Sequence, residues 1–163
     1  MSEKALLSDH VREEIDRWTA RFPEDRQRSA VIGALHAVQH ENDGYLTAEL
    51  MNKVADYLRL PTIHVYEVAT FYSMFQTTAV GRNNVAICTN ISCMLRGADD
   101  LVDHVEKKLG CKLGESTVDG RIYLKKEEEC LAACCGAPMM MVNHEYYENL
   151  TEERVDELLD GLD

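Results

Sequence analysis

The first 87 residues contain no cysteine, and the whole chain of 163 residues has only three prolines, three phenylalanines and one tryptophan. Six cysteines then appear at positions 88, 93, 111, 130, 134 and 135. Basic residues are also scarce, with 17 Lys and Arg against 29 Asp and Glu and a net charge of −12. That deficit argues against nucleic-acid binding, because releasing counterions from phosphates needs clustered Lys and Arg. Long apolar runs are missing too. The stretch around 30–38 is too short to span a bilayer, so no direct membrane insertion is expected. The first nine residues lack the uninterrupted apolar core of a secretion signal. These absences predict a cytoplasmic protein, and six cysteines in a reducing compartment are read as packed thiols or metal ligands rather than disulfides.

No glycine-rich phosphate loop follows a strand, so neither nucleotide nor flavin has an evident site on this chain. No C-x-x-C occurs, which disfavours a disulfide oxidoreductase. No nucleophile–base arrangement stands out, and no catalytic residue is assigned.

What is present divides near residue 80. Before it the apolar residues recur at helical spacing. Ser8 is a candidate N-cap for a helix carrying Val11, Ile15, Trp18 and Phe22. Val31, Leu35 and Val38 mark a second helix, and Thr47 caps a third with Leu50, Val54 and Tyr57 inward. Pro61 and Thr62 open a fourth, with Val65, Val68, Tyr72 and Phe75 on one face; Phe71, Tyr72 and Phe75 are expected in the core. Four short amphipathic helices are not stable singly and are expected to pack together as a bundle over residues 1–80.

Residues 81–163 follow a different pattern. Val85–Cys88 suits a buried strand, and 98–109 a helix ended by Gly110. Asp119 and Gly120 suggest a type I′ hairpin turn between two strands. Met139–Val142 and Glu145–Tyr147 are further strands around a polar turn, and Thr151 starts a last helix. The order β-α-β-β-β-α predicts a small sheet with helices packed on it. A right-handed crossover is the expected link from its first strand.

Cys88 and Cys93 form a C-x4-C pair, and Cys130 and Cys134 a C-x3-C pair. Loops at one end of a sheet can bring both pairs together. Four thiolates suit zinc or an iron–sulfur cluster. Zinc knuckles usually use C-x2-C, whereas longer spacers wrap the ends of a two-iron cluster. Small residues through 131–137 let the backbone approach sulfurs closely. Buried or redox-active thiols remain the third reading, and a zinc-stabilised, non-catalytic interaction domain is the alternative of another class. Cys111 reads as a packed thiol and Cys135 as a competing sulfur. His36 and His40, four apart on a helix, read as helix-end packing rather than a metal pair.

Charge adds an expectation. Residues 1–80 carry eight basic and twelve acidic side chains, residues 81–163 nine and seventeen. A two-iron cluster with four thiolates is itself anionic, and reduction adds a further negative charge. Its surroundings in the acidic half, including Glu127–Glu129 beside Cys130, predict a low reduction potential.

Cys88-Thr89-Asn90 with Cys93, then Glu129-Cys130-Leu131 with Cys134 and Ala137-Pro138, resemble the two-iron ferredoxin-like subunit of bacterial respiratory NADH:quinone oxidoreductase, the E-type component of complex I. The segments 65–72, 119–120 and 146–151 look like further motifs of that family, and the resemblance covers nearly the whole chain. It implies an α+β architecture, an N-terminal four-helix bundle (1–80) followed by a thioredoxin-like domain (81–163) binding one [2Fe-2S] cluster. The ligands it implies are Cys88, Cys93, Cys130 and Cys134. It also implies docking to the NADH- and FMN-binding flavoprotein subunit of the peripheral arm, on the cytoplasmic face of the inner membrane, with FMN and NADH held by that partner. The same module in a soluble NAD-dependent hydrogenase or formate dehydrogenase is the neighbouring reading. Where the family usually has Cys-Leu-Gly this chain has Ala132, so a turn needing positive φ there would be strained.

Overall fold

A computed structural model describes residues 7–126 and 130–163 of the chain. Glu127–Glu129, expected to shape the electrostatics near Cys130, lie outside the described residues. The chain divides into two compact units, Met1–Ala79 and Val80–Asp163.

The first unit contains helices α1 (Asp9–Thr19), α2 (Val31–Glu41), α3 (Ala48–Leu58) and α4 (Thr62–Phe71). Their starts follow the capping residues. Ser8 accepts a hydrogen bond from the Val11 N–H and Thr47 one from the Leu50 N–H, and Pro61 precedes α4 with no side-chain cap. Helix α1 packs on α2, α3 on α4, and α2 on both α3 and α4. Ile15, Leu35, Leu46, Val54 and Val65 are fully enclosed in this unit's core. Gly33 allows the Trp18 ring to lie directly on α2, since a Cβ there would overlap Trp18 Cδ2.

The aromatic set at the end of α4 departs from the expectation. Phe75 is buried, but Phe71 is 79% exposed and Tyr72 40%. Helix α4 ends at Phe71 and Tyr72 is extended, so helical spacing no longer applies beyond that point. Val65 and Ala69 form its buried side instead.

The second unit is a five-stranded sheet with helices. Its elements are β1 (Asn83–Ile87), α5 (Ile91–Met94), α6 (Ala98–Leu109), β2 (Glu115–Ser116), β3 (Ile122–Leu124), β4 (Met140–Val142), β5 (Glu145–Tyr147) and α7 (Glu152–Asp160). The strand order is β2-β3-β1-β4-β5. β1 and β3 run parallel, and β4 is antiparallel to β1. Val85, Ile87, Ile122, Leu124, Met140 and Val142 pack with Leu101, Val102 and Val105 of α6 and Val155 and Leu159 of α7. Cys111 is buried in this same core, and burial pushes its thiol pKa up.

The hairpin turns exchange roles relative to the sequence expectation. Between β2 and β3, Gly120 has φ +67° and Asp119 is not left-handed, so this is not a type I′ turn. The Gly120 N–H donates to Thr117 O at 2.8 Å, and Asp119 accepts from the Arg121 N–H. The two-residue loop with positive φ at both positions is Asn143-His144, joining β4 to β5. Asparagine tolerates that region because its short polar side chain bonds locally, and Asn143 Oδ1 accepts from the Asn84 N–H at 2.8 Å.

Candidate metal centre

The topology carries both cysteine loops to one end of the sheet. Cys88 follows the C-terminal end of β1, and the chain leaves β3, parallel to β1, at the same end before passing through 130–139. Antiparallel β4 then begins there, with the Cys88 N–H donating to Met139 O at 3.2 Å.

Each loop is fixed by its own local chemistry. Asn90 caps the single-turn α5 through Oδ1 to the Ile91 N–H, which folds Cys93 back beside Cys88. Leu131 is buried and anchors the second loop. Ala132 follows with φ +62°, a left-handed conformation that glycine adopts freely and alanine only under strain. Cys134–Gly136 make a short 3-10 turn, with the Gly136 N–H donating to Ala133 O at 2.9 Å.

Cys88 and Cys93 are sealed in a small core with Ala98, Leu131, Ala137 and Met139, while Cys130, Cys134 and Cys135 are exposed. Cys130 Sγ and Cys134 Sγ are 3.8 Å apart, and the Ala132 N–H donates to Cys130 Sγ at 3.4 Å. Two thiolates on one tetrahedral metal with bonds of about 2.3 Å would stand roughly 3.8 Å apart. This pair therefore already has the spacing of two ligands on one metal ion.

The thiols also act on one another. Burial raises the Cys88 pKa, but the Leu131 and Asn90 backbone N–H groups, with the Cys93 and Cys130 thiols, outweigh it and leave the group below its ordinary value. Cys93 is pushed up to about 11 by burial and by the Cys88 sulfur, with Cys134 adding to the rise and the Met139 N–H opposing it. At Cys130 the Ala132 N–H lowers the pKa, yet the Cys134 thiol, desolvation and the charges of Cys134 and Cys88 carry it upward. These influences close a circuit through Cys88, Cys93, Cys134 and Cys130. Backbone donors at Leu131, Asn90, Met139 and Ala132 serve it, the kind of contact that tunes metal-bound thiolates. Among the described residues no three or more His, Cys, Asp or Glu side chains are grouped to hold a single metal ion. Four sulfurs shared between two irons need meet only two at a time. The donor set therefore fits a [2Fe-2S] cluster.

The other candidates fall elsewhere. The His36 ring packs against Phe75, 4.9 Å between centroids, and His40 is exposed. His104 lies between Glu152 (3.5 Å) and Asp156 (2.8 Å), tying α6 to α7.

Sequence reasoning missed what holds the second loop. Glu148 lies across Gly136, and the Asn149 N–H donates to Gly136 O at 2.6 Å. The Leu150 N–H donates to Pro138 O at 3.0 Å, and the Leu150 side chain is buried. The signal was the segment 146–151, recognisable as a motif but without a physical role until the fold placed it beside Cys134.

Comparison with known proteins agrees with a [2Fe-2S] centre. The sequence model of the thioredoxin-like [2Fe-2S] ferredoxin family matches residues 15–163. The E subunit of the NADH-quinone oxidoreductase of Rickettsia felis is 44% identical over 140 residues, 86% of this chain and 83% of the relative. A second E-type subunit, from the NADH-quinone oxidoreductase of Rhizobium meliloti, is 43% identical over 93% of this chain and 88% of its own. Mitochondrial NADH dehydrogenase [ubiquinone] flavoprotein 2 of Dictyostelium discoideum is 39% identical over 91% of this chain and 60% of its own. In fold the chain is similar to part of an NAD+-reducing [NiFe]-hydrogenase, with a TM-score of 0.67 at 23% identity. That match covers 77% of this chain but only 22% of the hydrogenase chain. The chain belongs to the thioredoxin-like [2Fe-2S] ferredoxin family.

Proposed function

We propose that this chain is the E-type electron-transfer component of a respiratory NADH:quinone oxidoreductase. In this reading Cys88, Cys93, Cys130 and Cys134 hold one [2Fe-2S] cluster, residues 1–80 are a helical bundle and residues 81–163 the cluster domain. When bound, such a cluster accepts and returns a single electron. The chain's own residues position four sulfurs, aim backbone N–H groups at them, and seal Cys88 and Cys93 from water while leaving Cys130 and Cys134 exposed. The observation that carries the reading is the sulfur circuit at one end of the sheet, in a family whose relatives at 41–44% identity are named for this component of the complex. The partner is the NADH- and FMN-binding flavoprotein subunit, which supplies and takes back the electron. No helix among the described residues is long and apolar enough to cross a membrane, and the assembly places the chain peripherally, on the cytoplasmic face of the inner membrane.

Adding NADH to the chain copurified with that flavoprotein tests the reading. A reduced two-iron signal in the spin-resonance spectrum is the expected result. A colourless, zinc-loaded chain would replace the reading with a structural zinc domain.

A further inference from the structure

Cys130 and Cys134 are both exposed, and their Sγ atoms stand 3.8 Å apart. Cys88 and Cys93, by contrast, are 2% and 1% exposed, and Cys111 is enclosed in the core with α6 and α7. A dissolved oxidant reaches the first pair and not these three. The loop also brings the pair together before any bond forms. Leu131 is buried, Ala132 turns the chain with φ +62°, and the Ala132 N–H donates to Cys130 Sγ at 3.4 Å. A disulfide of about 2.05 Å needs the two sulfurs to close by less than about 2 Å more, a movement that side-chain rotation supplies. Cys135 is exposed as well, but a bond to its neighbour Cys134 would distort the planar trans peptide between them.

We infer that Cys130 and Cys134 form a redox gate on cluster insertion, closing to a disulfide when an oxidised low-molecular-weight thiol such as glutathione disulfide meets the chain before its cluster is in place. One thiolate of the pair attacks a glutathione sulfur, breaks the glutathione S–S bond and releases one glutathione thiolate. The other thiolate then attacks the protein sulfur of the mixed disulfide, forms the Cys130–Cys134 bond and releases the second glutathione. The pair loses two electrons, glutathione disulfide gains them, and the protons of the protein thiols pass to the two glutathiones. Disulfides in reducing compartments are usually transient and redox-sensing, and exposed ones are the labile kind. With the bond closed, neither sulfur is the thiolate that ligation needs, and only Cys88 and Cys93 of the four remain. The chemistry of the pair stands on its geometry, and its effect as a gate rests on the cluster reading above.

The full chain, freed of metal by a chelator under reducing conditions and desalted without oxygen, tests it on exposure to glutathione disulfide. Peptide mapping without reduction is expected to find Cys130 joined to Cys134, with Cys88, Cys93 and Cys111 unreacted. Offered a [2Fe-2S]-loaded scaffold protein without added thiol, the oxidised chain is expected to take up no cluster, read by its visible spectrum and iron content. Treatment with a dithiol should restore uptake to that of a chain never oxidised. Cys135→Ser is expected to close and reopen the bond as the native chain does, and loss of the bond in that variant would overturn the pairing. Glutathione carried on Cys135 alone, reaction of Cys88 and Cys93 along with the exposed pair, or no Cys130–Cys134 bond at all overturns the inference. So does an oxidised chain that carries the mapped bond yet accepts the cluster as fast as the reduced one. A reduced native chain that accepts no cluster fails the cluster reading, and the gate with it, whatever the mapping finds.

Discussion

Glu148 lies so closely over Gly136 that a methyl group at Gly136 would overlap Glu148 Oε2, Cβ and Cδ together. Gly136 ends the turn that begins at Cys134, so this contact fixes the position of the second cysteine loop. Gly136→Ala is expected to destabilise the chain by about 1–3 kcal/mol, as overpacking generally does. Glu148→Gly in the same chain should recover part of that loss by removing the overlapping atoms. Urea unfolding of the two variants checks the pair, and equal losses in both would show that the contact is not what matters.

Ala132 occupies the left-handed region with φ +62°. A Cβ in that conformation costs roughly 1–2 kcal/mol, which glycine avoids. Ala132→Gly is therefore expected to raise stability by up to about 1 kcal/mol, part of the relief being offset by the greater freedom of the unfolded glycine chain. A lowered unfolding midpoint would contradict the strain.

Cys134 and Cys135 are adjacent and both exposed, yet only Cys134 is 3.8 Å from Cys130 Sγ. Cys134→Ser is expected to lose the native visible spectrum and Cys135→Ser to keep it. The reverse outcome would move the fourth ligand by one residue.

Trp18 is the chain's single tryptophan. It rests on Gly33 with Arg21 stacked 4.2 Å from its ring centroid. Gly33→Ala forces a Cβ into the indole and should cost about 1–3 kcal/mol. Tryptophan emission during denaturation reads this directly, and an unchanged midpoint would mean that the ring is free to move aside.

Asp156 is held below the usual carboxylate range, first by its hydrogen bond to His104 and also by Lys108. A depressed carboxylate contributes stability above its unfolded value of about 3.9, and that contribution is lost as pH falls through the lower folded value. Asp156→Asn should thus be less stable than the native chain at neutral pH, with the difference closing below about pH 4. A difference independent of pH would remove Asp156 from the acid response.

Local chemistry was legible in the sequence. Ser8, Thr47 and Thr151 cap the helices they were expected to cap, because a cap needs only its own next turn. The apolar pattern likewise placed β1, β3, β4 and β5. What depended on distant chain was not legible. Phe71, the last residue of α4, lies off the buried side formed by Val65 and Ala69, and Asn143-His144 adopts the turn that Asp119-Gly120 was expected to form. The Arg121 guanidinium donates to Leu159 O and Leu162 O, closing the end of α7 across about forty residues, and no local pattern encodes that.

In the proposed function, four cysteines at one end of this sheet hold a two-iron, two-sulfide cluster. Iron and acid-labile sulfide content, measured together with the spin-resonance spectrum of the dithionite-reduced full chain, tests it most directly. Two irons and two sulfides per chain and one two-iron signal are expected. A single zinc with no sulfide and no signal would contradict it.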